Sequence, residues 1–235
     1  MPRAMPRTVA LFLPLAVALL VLAPRAAQAA DEATHRKRFP ASSVGSISLR
    51  AAVGAVRIEQ GGGDQVGVSV TLKAKRTTGI FSALPDVSDL EIASTTRGDQ
   101  LTLKVDANNI EERWVIRLPQ KRLSAIELKL GVGDVEVLAP VRRFDIDVGV
   151  GDVNIDIPGG AIAVTVGTGD VRIRTKLADA GSIRGKAGVG SVELNGAKGT
   201  TKGSTVGGSV TAEGKGKQPI EVTVGVGDLT VNLID

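Results

Sequence analysis

Apolar and polar residues alternate through most of the second half of the chain. The run Phe144–Val148 (F-D-I-D-V) has an apolar side chain at every other position. A period of two predicts a β-strand with one buried face and one solvated face. A short glycine-containing segment follows, and the alternation then resumes. Similar first strands begin at Ile126, Ile162 and Ile220.

The segment between the paired strands has the pattern G-x-G-D-V, and it recurs. Its copies are Gly131–Val135, Gly149–Val153, Gly167–Val171, Gly188–Val192 with Ser191 in place of Asp, the fainter Val206–Val210, and Gly225–Leu229. The second glycines fall at 133, 151, 169, 190, 208 and 227, so the steps are 18, 18, 21, 18 and 19 residues. A fixed period predicts stacked coils. An antiparallel meander would not need identical registers, so the pattern favours an all-β parallel β-helix (β-solenoid) of about 18–19 residues per coil.

Stacking in chain order makes definite predictions about side chains. Equivalent positions on adjacent strands lie about 4.8 Å apart and form columns. Three opposite-charge neighbours are expected, Asp156 with Arg174, Arg172 with Glu193, and Lys129 with Asp147. The last strand, Leu229–Leu233, would leave an uncapped edge, and self-association through this C-terminal edge is a further expectation.

The first half carries one more copy of the unit and several other strands. Ile47–Ile58 is the copy, with Gly54 matching Gly133. Gln65–Lys75 and Arg113–Leu118 alternate as strands, and Trp114 is expected in the core. The remaining predictions are a loop over Thr77–Pro85 and a hairpin of Asp89–Thr95 with Gln100–Asp106. We divide the chain into residues 30–119, a β-rich part with the first coil, and 120–235, the repeats, forming one continuous domain over 39–235.

The first 29 residues predict a secretory signal peptide. Arg3 and Arg7 precede an apolar run, Ala10–Ala23, and small residues end at Ala29. Export to the periplasm or the cell surface follows, and no later segment is apolar enough to span a membrane. The chain contains no cysteine, so neither disulfides nor lipid attachment at a cysteine is available.

Removal of the leader changes the charge balance. The 29 Lys+Arg lose three residues and the 25 Asp+Glu lose none, so the mature chain has 26 minus 25, or +1. Nucleic-acid binding is not indicated, because neither a basic stripe nor stacking aromatics are present. The one basic cluster, His35–Arg38, is interpreted as a solvated tail; weak attraction to an anionic envelope surface is the alternative.

Aspartates in the corners are the candidates for chemistry. Asp134, Asp152, Asp170 and Asp228 could form a cation ladder, since Ca²⁺ prefers carboxylate oxygens. Ser191 and Ser209 are expected to interrupt that column, however, and Asp also accepts backbone N–H bonds in turns. The corner interpretation is therefore favoured over a metal site, with no catalytic or cofactor-binding residues. The glycines predicted to form the corners of the coils are Gly54, Gly133, Gly151, Gly169, Gly190, Gly208 and Gly227.

The Ile47–Ile58 unit, the I-R-L-P run at Ile116–Pro119 and the serial G-D-V coils resemble a bacterial putative-adhesin family, a domain of unknown function. The resemblance covers roughly Phe39–Asp235. It implies a right-handed parallel β-helix and an exported, envelope-associated protein that is not an enzyme, whose partner is an unknown envelope protein or surface component. The alternative is a carbohydrate-binding or polysaccharide-active β-helix, which the scarcity of aromatic rings disfavours.

Hydrogen exchange tests the weakest part of the predicted stack. Gly185 and Gly203 occupy inward positions that hold large aliphatic residues in other coils, and glycine contributes no packing there. Amides across Ser182–Glu213 are therefore expected to exchange faster than those across Phe144–Ile173. Equal protection of the two segments would contradict this expectation.

Overall fold

The computed structural model describes residues 31–75, 86–196, 199–202 and 206–235. The predicted leader, the predicted loop over Thr77–Pro85 and Gly203 lie outside the described residues. The described part is all-β, with seventeen strands and one 3-10 turn, Ala41–Ser43. None of its helical segments has the length and hydrophobicity needed to cross a bilayer.

The strands range from four to fifteen residues in length. They are β1 Glu32–Pro40, β2 Ser46–Gln60, β3 Gln65–Ala74, β4 Ala93–Arg97, β5 Gln100–Lys104, β6 Ile110–Leu118, β7 Ala125–Val137, β8 Arg143–Val150, β9 Val153–Asp156, β10 Ala161–Thr168, β11 Val171–Lys176, β12 Ala180–Val189, β13 Val192–Asn195, β14 Gly199–Lys202, β15 Val206–Glu213, β16 Gln218–Val226 and β17 Leu229–Ile234. The predicted hairpin is confirmed as β4 and β5, which pair antiparallel around Gly98. The predicted strands at Gln65–Lys75 and Arg113–Leu118 are confirmed as β3 and β6.

Seven coils stack through parallel pairing, and each contributes to two faces. On the first face the strands lie in the order β5, β2, β7, β8, β10, β16 and β12. On the second face the order is β6, β2, β7, β9, β11, β17 and β13. The long strands β2 and β7 pass through the corner and serve both faces. The predicted parallel stacking of coils is therefore confirmed.

The order of the coils in space differs from their order along the chain. The last coil, β16 and β17, lies between the β10–β11 coil and the β12–β13 coil. Arg172 consequently faces Thr230 and not Glu193, so that predicted pair is wrong. The other two pairings are confirmed: Arg174 lies 3.6 Å from Asp156, and Lys129 is opposite Asp147.

Antiparallel strands close both ends of the stack. At one end β4 pairs with β5, β3 with β6 and β1 with β3; at the other, β15 pairs with β12 and β14 with β15. The predicted uncapped edge at Leu229–Leu233 is wrong, because β17 is paired on both sides. The tail interpretation of His35–Arg38 is also wrong, because these residues belong to β1. There the Lys37 Nζ donates a hydrogen bond of 2.7 Å to the Ile92 carbonyl.

Columns of aliphatic side chains fill the space between the faces. Leu128, Ile146, Val164 and Val222 stand in register on successive strands and are buried. Gly185 continues this column, as predicted, and a Cβ built on it would lie 2.5 Å from the Leu229 Cδ2 atom. The expected core position of Trp114 is confirmed, since only 1% of its surface is exposed. Each fully buried aliphatic side chain contributes roughly 1.5–3 kcal/mol, so these columns supply most of the stabilisation.

Each corner turns at a glycine that stacks on the glycine of the neighbouring coil. Gly151 has φ of 139°, and a Cβ built on it would overlap the carbonyl oxygen of Gly133. Only glycine satisfies both the positive φ and the close approach. Corner positions with positive φ are confirmed at Gly54, Gly133, Gly151, Gly169, Gly190 and Gly227. The corner predicted at Gly208 is wrong: Gly208 lies within β15, opposite Ala187 on an antiparallel neighbour.

Two alanine substitutions distinguish the cost of a positive φ from the cost of the close approach to the neighbouring carbonyl. Gly151→Ala imposes both the backbone strain and the overlap with the Gly133 carbonyl, so it is expected to lower the free energy of unfolding by more than about 2 kcal/mol. Gly98→Ala is the control, because Gly98 has φ of 61° in the hairpin turn with open space around it. It should cost about 1 kcal/mol. Urea denaturation measures both, and equal losses would contradict the stacking argument.

Candidate functional site

Four aspartates form a continuous column along the corners. The Oδ1 atom of each one accepts the backbone N–H of the next residue in the column. The N···O distances are 3.1 Å from Asp152 to Asp134, 2.8 Å from Asp170 to Asp152 and 2.9 Å from Asp228 to Asp170. Ser191 ends the column and donates both its N–H (2.7 Å) and its hydroxyl (2.8 Å) to Asp228.

The prediction that the aspartates accept backbone N–H bonds is confirmed, although the donor belongs to the adjacent coil. Each carboxylate therefore links two coils. The expectation that serines interrupt the column is wrong. Ser191 is its last member, because the Asp228 coil is inserted before it, and Ser209 lies in β15 opposite Lys186. All four aspartates that the sequence singled out are brought together.

Stacked carboxylates repel one another, and the donors offset this repulsion. The Ser191 N–H lowers the pKa of Asp228, helped by the Ser191 hydroxyl and by the charge of Arg172. The Arg172 Nη2 also lies 3.2 Å from the Asp170 Oδ2. Across the described ranges no three His, Asp or Glu side chains are grouped so as to hold a metal ion. What the column does in this structure is fasten one corner to the next.

A carboxyl group that the sequence analysis missed is buried at one end of the stack. Glu112, on β6, has 2% of its surface exposed. Among the described residues, the other buried polar side chains, Ser48 and Thr175, are hydroxyls. Its Oε2 accepts a 2.7 Å hydrogen bond from the Trp114 Nε1, and its Oε1 lies 3.3 Å from the Ala52 backbone nitrogen. A period of two over Ile110, Glu112, Trp114 and Ile116 would have placed Glu112 on the inward face.

Glu112 takes the place of a corner glycine. It lies in register with Gly54, yet eight positions separate it from Lys104, whereas four separate Gly54 from Arg50. The β5–β6 coil therefore turns through a connection four residues longer, which includes Asn109 at φ of 59°. This coil departs from the repeat where the interior also gains a carboxyl.

Neighbouring glutamates on β6 have opposite electrostatic environments. Burial raises the pKa of Glu112, and the donors from Trp114 and Ala52 offset that effect only in part. Burial also acts to raise the pKa of Glu111, but hydrogen bonds and charges from Lys75 (3.4 Å) and Arg113 (3.2 Å) outweigh it, and the pKa is lowered. Glu112 is thus costly to ionise, whereas Glu111 is stabilised as an anion.

The outer side of the first face carries charges of both signs. Glu127 and Asp145 are neighbours in one outward column, and Ala163 follows them. Glu221 stands between Ala163 and Arg184, with a 3.3 Å ion pair to Arg184. The column is consequently a mixed, exposed surface.

The chain belongs to the Toastrack family DUF4097, whose profile matches residues 44–235. This membership agrees with the resemblance to putative adhesins of unknown function. No curated protein matches the chain. A putative cell adhesion protein from Clostridium sporogenes has a similar solved structure, with a TM-score of 0.61 at 19% identity over 86% of this chain and 100% of that one. At this identity the likeness concerns the fold alone.

A putative adhesin from Bacteroides fragilis is also similar over 86% of this chain and 97% of its own, at 13% identity. Its TM-score of 0.37 is too low to support an argument. Both of these solved structures are described as adhesion proteins.

The raised pKa of Glu112 predicts how stability depends on pH. An unfolded glutamate has a pKa of about 4.3, so between that value and the higher folded value the folded chain binds more protons than the unfolded chain. The stabilising contribution of protonated Glu112 is complete below the unfolded pKa and is lost as pH rises through the folded one. Glu112→Gln cannot ionise. The free energy of unfolding of the wild type, relative to Glu112→Gln, is therefore expected to fall as pH rises.

Urea denaturation over a pH series measures this difference. Glu111→Gln is the matched control, because its lowered pKa predicts a difference of the opposite sign, with the wild type gaining relative stability as pH rises. A Glu112 difference that is independent of pH, or that rises with pH, would show that the buried carboxyl does not titrate in this way.

Proposed function

We propose that this chain is an exported, non-enzymatic protein of the cell envelope that presents flat solenoid faces to a partner in an adhesin-like role. The observation that carries the proposal is the register of the seven coils. Outward side chains such as Lys129, Asp147 and Thr165 stand in straight columns on parallel neighbours. A rigid surface of this kind suits recognition of another surface, since little ordering is needed on binding.

Two further observations support an interaction role. Antiparallel strands close both ends of the stack, so the lateral faces, and not the stack ends, are the regular surfaces left to a partner. The aspartates that could have served chemistry are already bonded to backbone N–H groups of adjacent coils.

Location and winding complete the proposal. The predicted leader over residues 1–29 supports export to the periplasm or cell surface, with a mature chain that begins at Ala30. Right-handed winding is part of the proposal because parallel crossover connections are right-handed in nearly all proteins. The name of the Clostridium sporogenes relative, a putative cell adhesion protein, supports a role at the cell surface.

Photo-crosslinking in intact cells tests the partner hypothesis. A photoreactive residue at Thr165, exposed on β10 next to the central strand of the first face, is expected to yield a discrete adduct with an envelope component. The same residue at Thr96, exposed near the hairpin turn, is the control and should yield none. Equal labelling at both positions, or turnover of a polysaccharide by the purified protein, would contradict the proposal. The mass of the recovered chain reports cleavage before Ala30.

A further inference from the structure

Three cations lie side by side on the first face, close to the β5–β6 end of the stack. Lys104, Arg50 and Lys129 are exposed and occupy one outward column on β5, β2 and β7. Adjacent strands are about 4.8 Å apart, and like charges directly opposite each other are destabilising. Lys104 pairs with Asp106 at 2.7 Å and Lys129 approaches Glu127 at 3.7 Å. Arg50, in the middle, has no ion-pair partner among residues 31–75, 86–196, 199–202 and 206–235.

The cation column borders a groove with an apolar floor. The groove has a volume of about 430 Å³, within the size range of small-molecule sites. Its floor includes Ala51, Val105 and Leu130. Leu130 is buried, and the other two are half-buried against the core. Asp147, opposite Lys129 in the same column, also lines the groove. The groove thus places apolar surface next to three cations, of which Lys104 and Lys129 have acidic neighbours and Arg50 has no ion-pair partner among the described residues.

The groove lies where the β5–β6 coil departs from the repeat. In the Gly-Asp coils, stacked glycines form a tight corner. In the β5–β6 coil, the connection between Lys104 and Glu112 is four residues longer and takes the place of that corner. The Glu112 carboxyl accepts the Ala52 N–H and so fixes the β2 backbone along the groove. A charged residue in an aliphatic interior costs stability, and such departures concentrate at functional sites.

We propose that this groove binds the phosphate-bearing headgroup of a single anionic lipid molecule. The phosphate lies on the Arg50 guanidinium between Lys104 and Lys129, because the planar guanidinium fork matches phosphate oxygens and the anion relieves the repulsion within the column. The glycerol and the first part of the acyl chain cover Ala51 and Leu130. This inference stands independently of the proposed partner-binding role, and the Thr165 adduct tests that role separately.

The single tryptophan of the chain gives a direct assay, because the Trp114 Nε1 is hydrogen-bonded to Glu112 beside the groove. Short-chain lysophosphatidylglycerol, kept below its micelle concentration, is expected to change Trp114 fluorescence saturably, and calorimetry should give the same affinity. Arg50→Ala should weaken binding by roughly tenfold or more. Lys186→Ala is the matched control, since Lys186 lies in the same outward column near the other end of the stack. It should leave the affinity unchanged.

Several outcomes would overturn the proposal. Equal affinity of the wild type and a folded Arg50→Ala variant would remove the cation column from the site. Equal binding of lysophosphatidylcholine, whose headgroup is zwitterionic, would contradict selection for an anion. Inorganic phosphate that binds as tightly as the lysolipid would show that the apolar floor contributes nothing. Binding to phosphatidylglycerol vesicles without binding to the monomer would indicate a membrane surface instead of a single lipid.

Discussion

The close approach of backbones at the corners is the constraint on which the stack depends. A Cβ at Gly151 has no room beside the Gly133 carbonyl, so the Gly151 coil can approach the Gly133 coil at this corner only because Gly151 has no side chain. With these corners in contact, the Asp152 carboxylate accepts the Asp170 N–H, and the aliphatic columns behind the corners stand in register. Backbone geometry, hydrogen bonding and burial therefore agree at the coils that carry the Gly-Asp corner, which is how a repeat of small residues specifies one structure without a large aromatic core.

The local structure was readable from the sequence because it depends on two short-range signals. Alternation fixes which side of a strand is buried, as at Ile146, and the Gly-x-Gly pattern fixes the corner. The order of neighbours was not readable. The corner at Asp228 has the same residues as the corner at Asp170, so either can follow a given coil, and only the tertiary fold decides between them. The misplaced Arg172–Glu193 pair comes from assuming chain order, whereas the misassigned corner at Gly208 comes from counting Val206–Val210, which belongs to an antiparallel strand, as another coil.

One part of the candidate site could be predicted from the sequence and another part could not. The aspartate column followed from the motif, since its members share one position in the repeat. Glu112 did not, because it lacks the motif that would reveal its register with Gly54. The alternation along β6 indicates that Glu112 faces inward, but its place beside the Gly54 corner depends on the pairing of β6 with β2, fifty-eight positions earlier in the chain by the Gly54–Glu112 register. The groove beside it likewise depends on residues from β2, β5 and β7, which the chain brings together only on folding.

The position of the β16–β17 coil inside the stack also affects the order in which the coils can assemble. In a solenoid wound in chain order, each new coil could dock on the previous one during synthesis. Here β12 and β13 are separated from β10 and β11 by a coil made of the last residues of the chain, so they have no parallel neighbour until β16 and β17 arrive. A chain truncated before Gln218 would lack an interior layer instead of an outer one. The β12–β13 coil can therefore join the parallel stack only after β16 and β17 have folded onto β10 and β11.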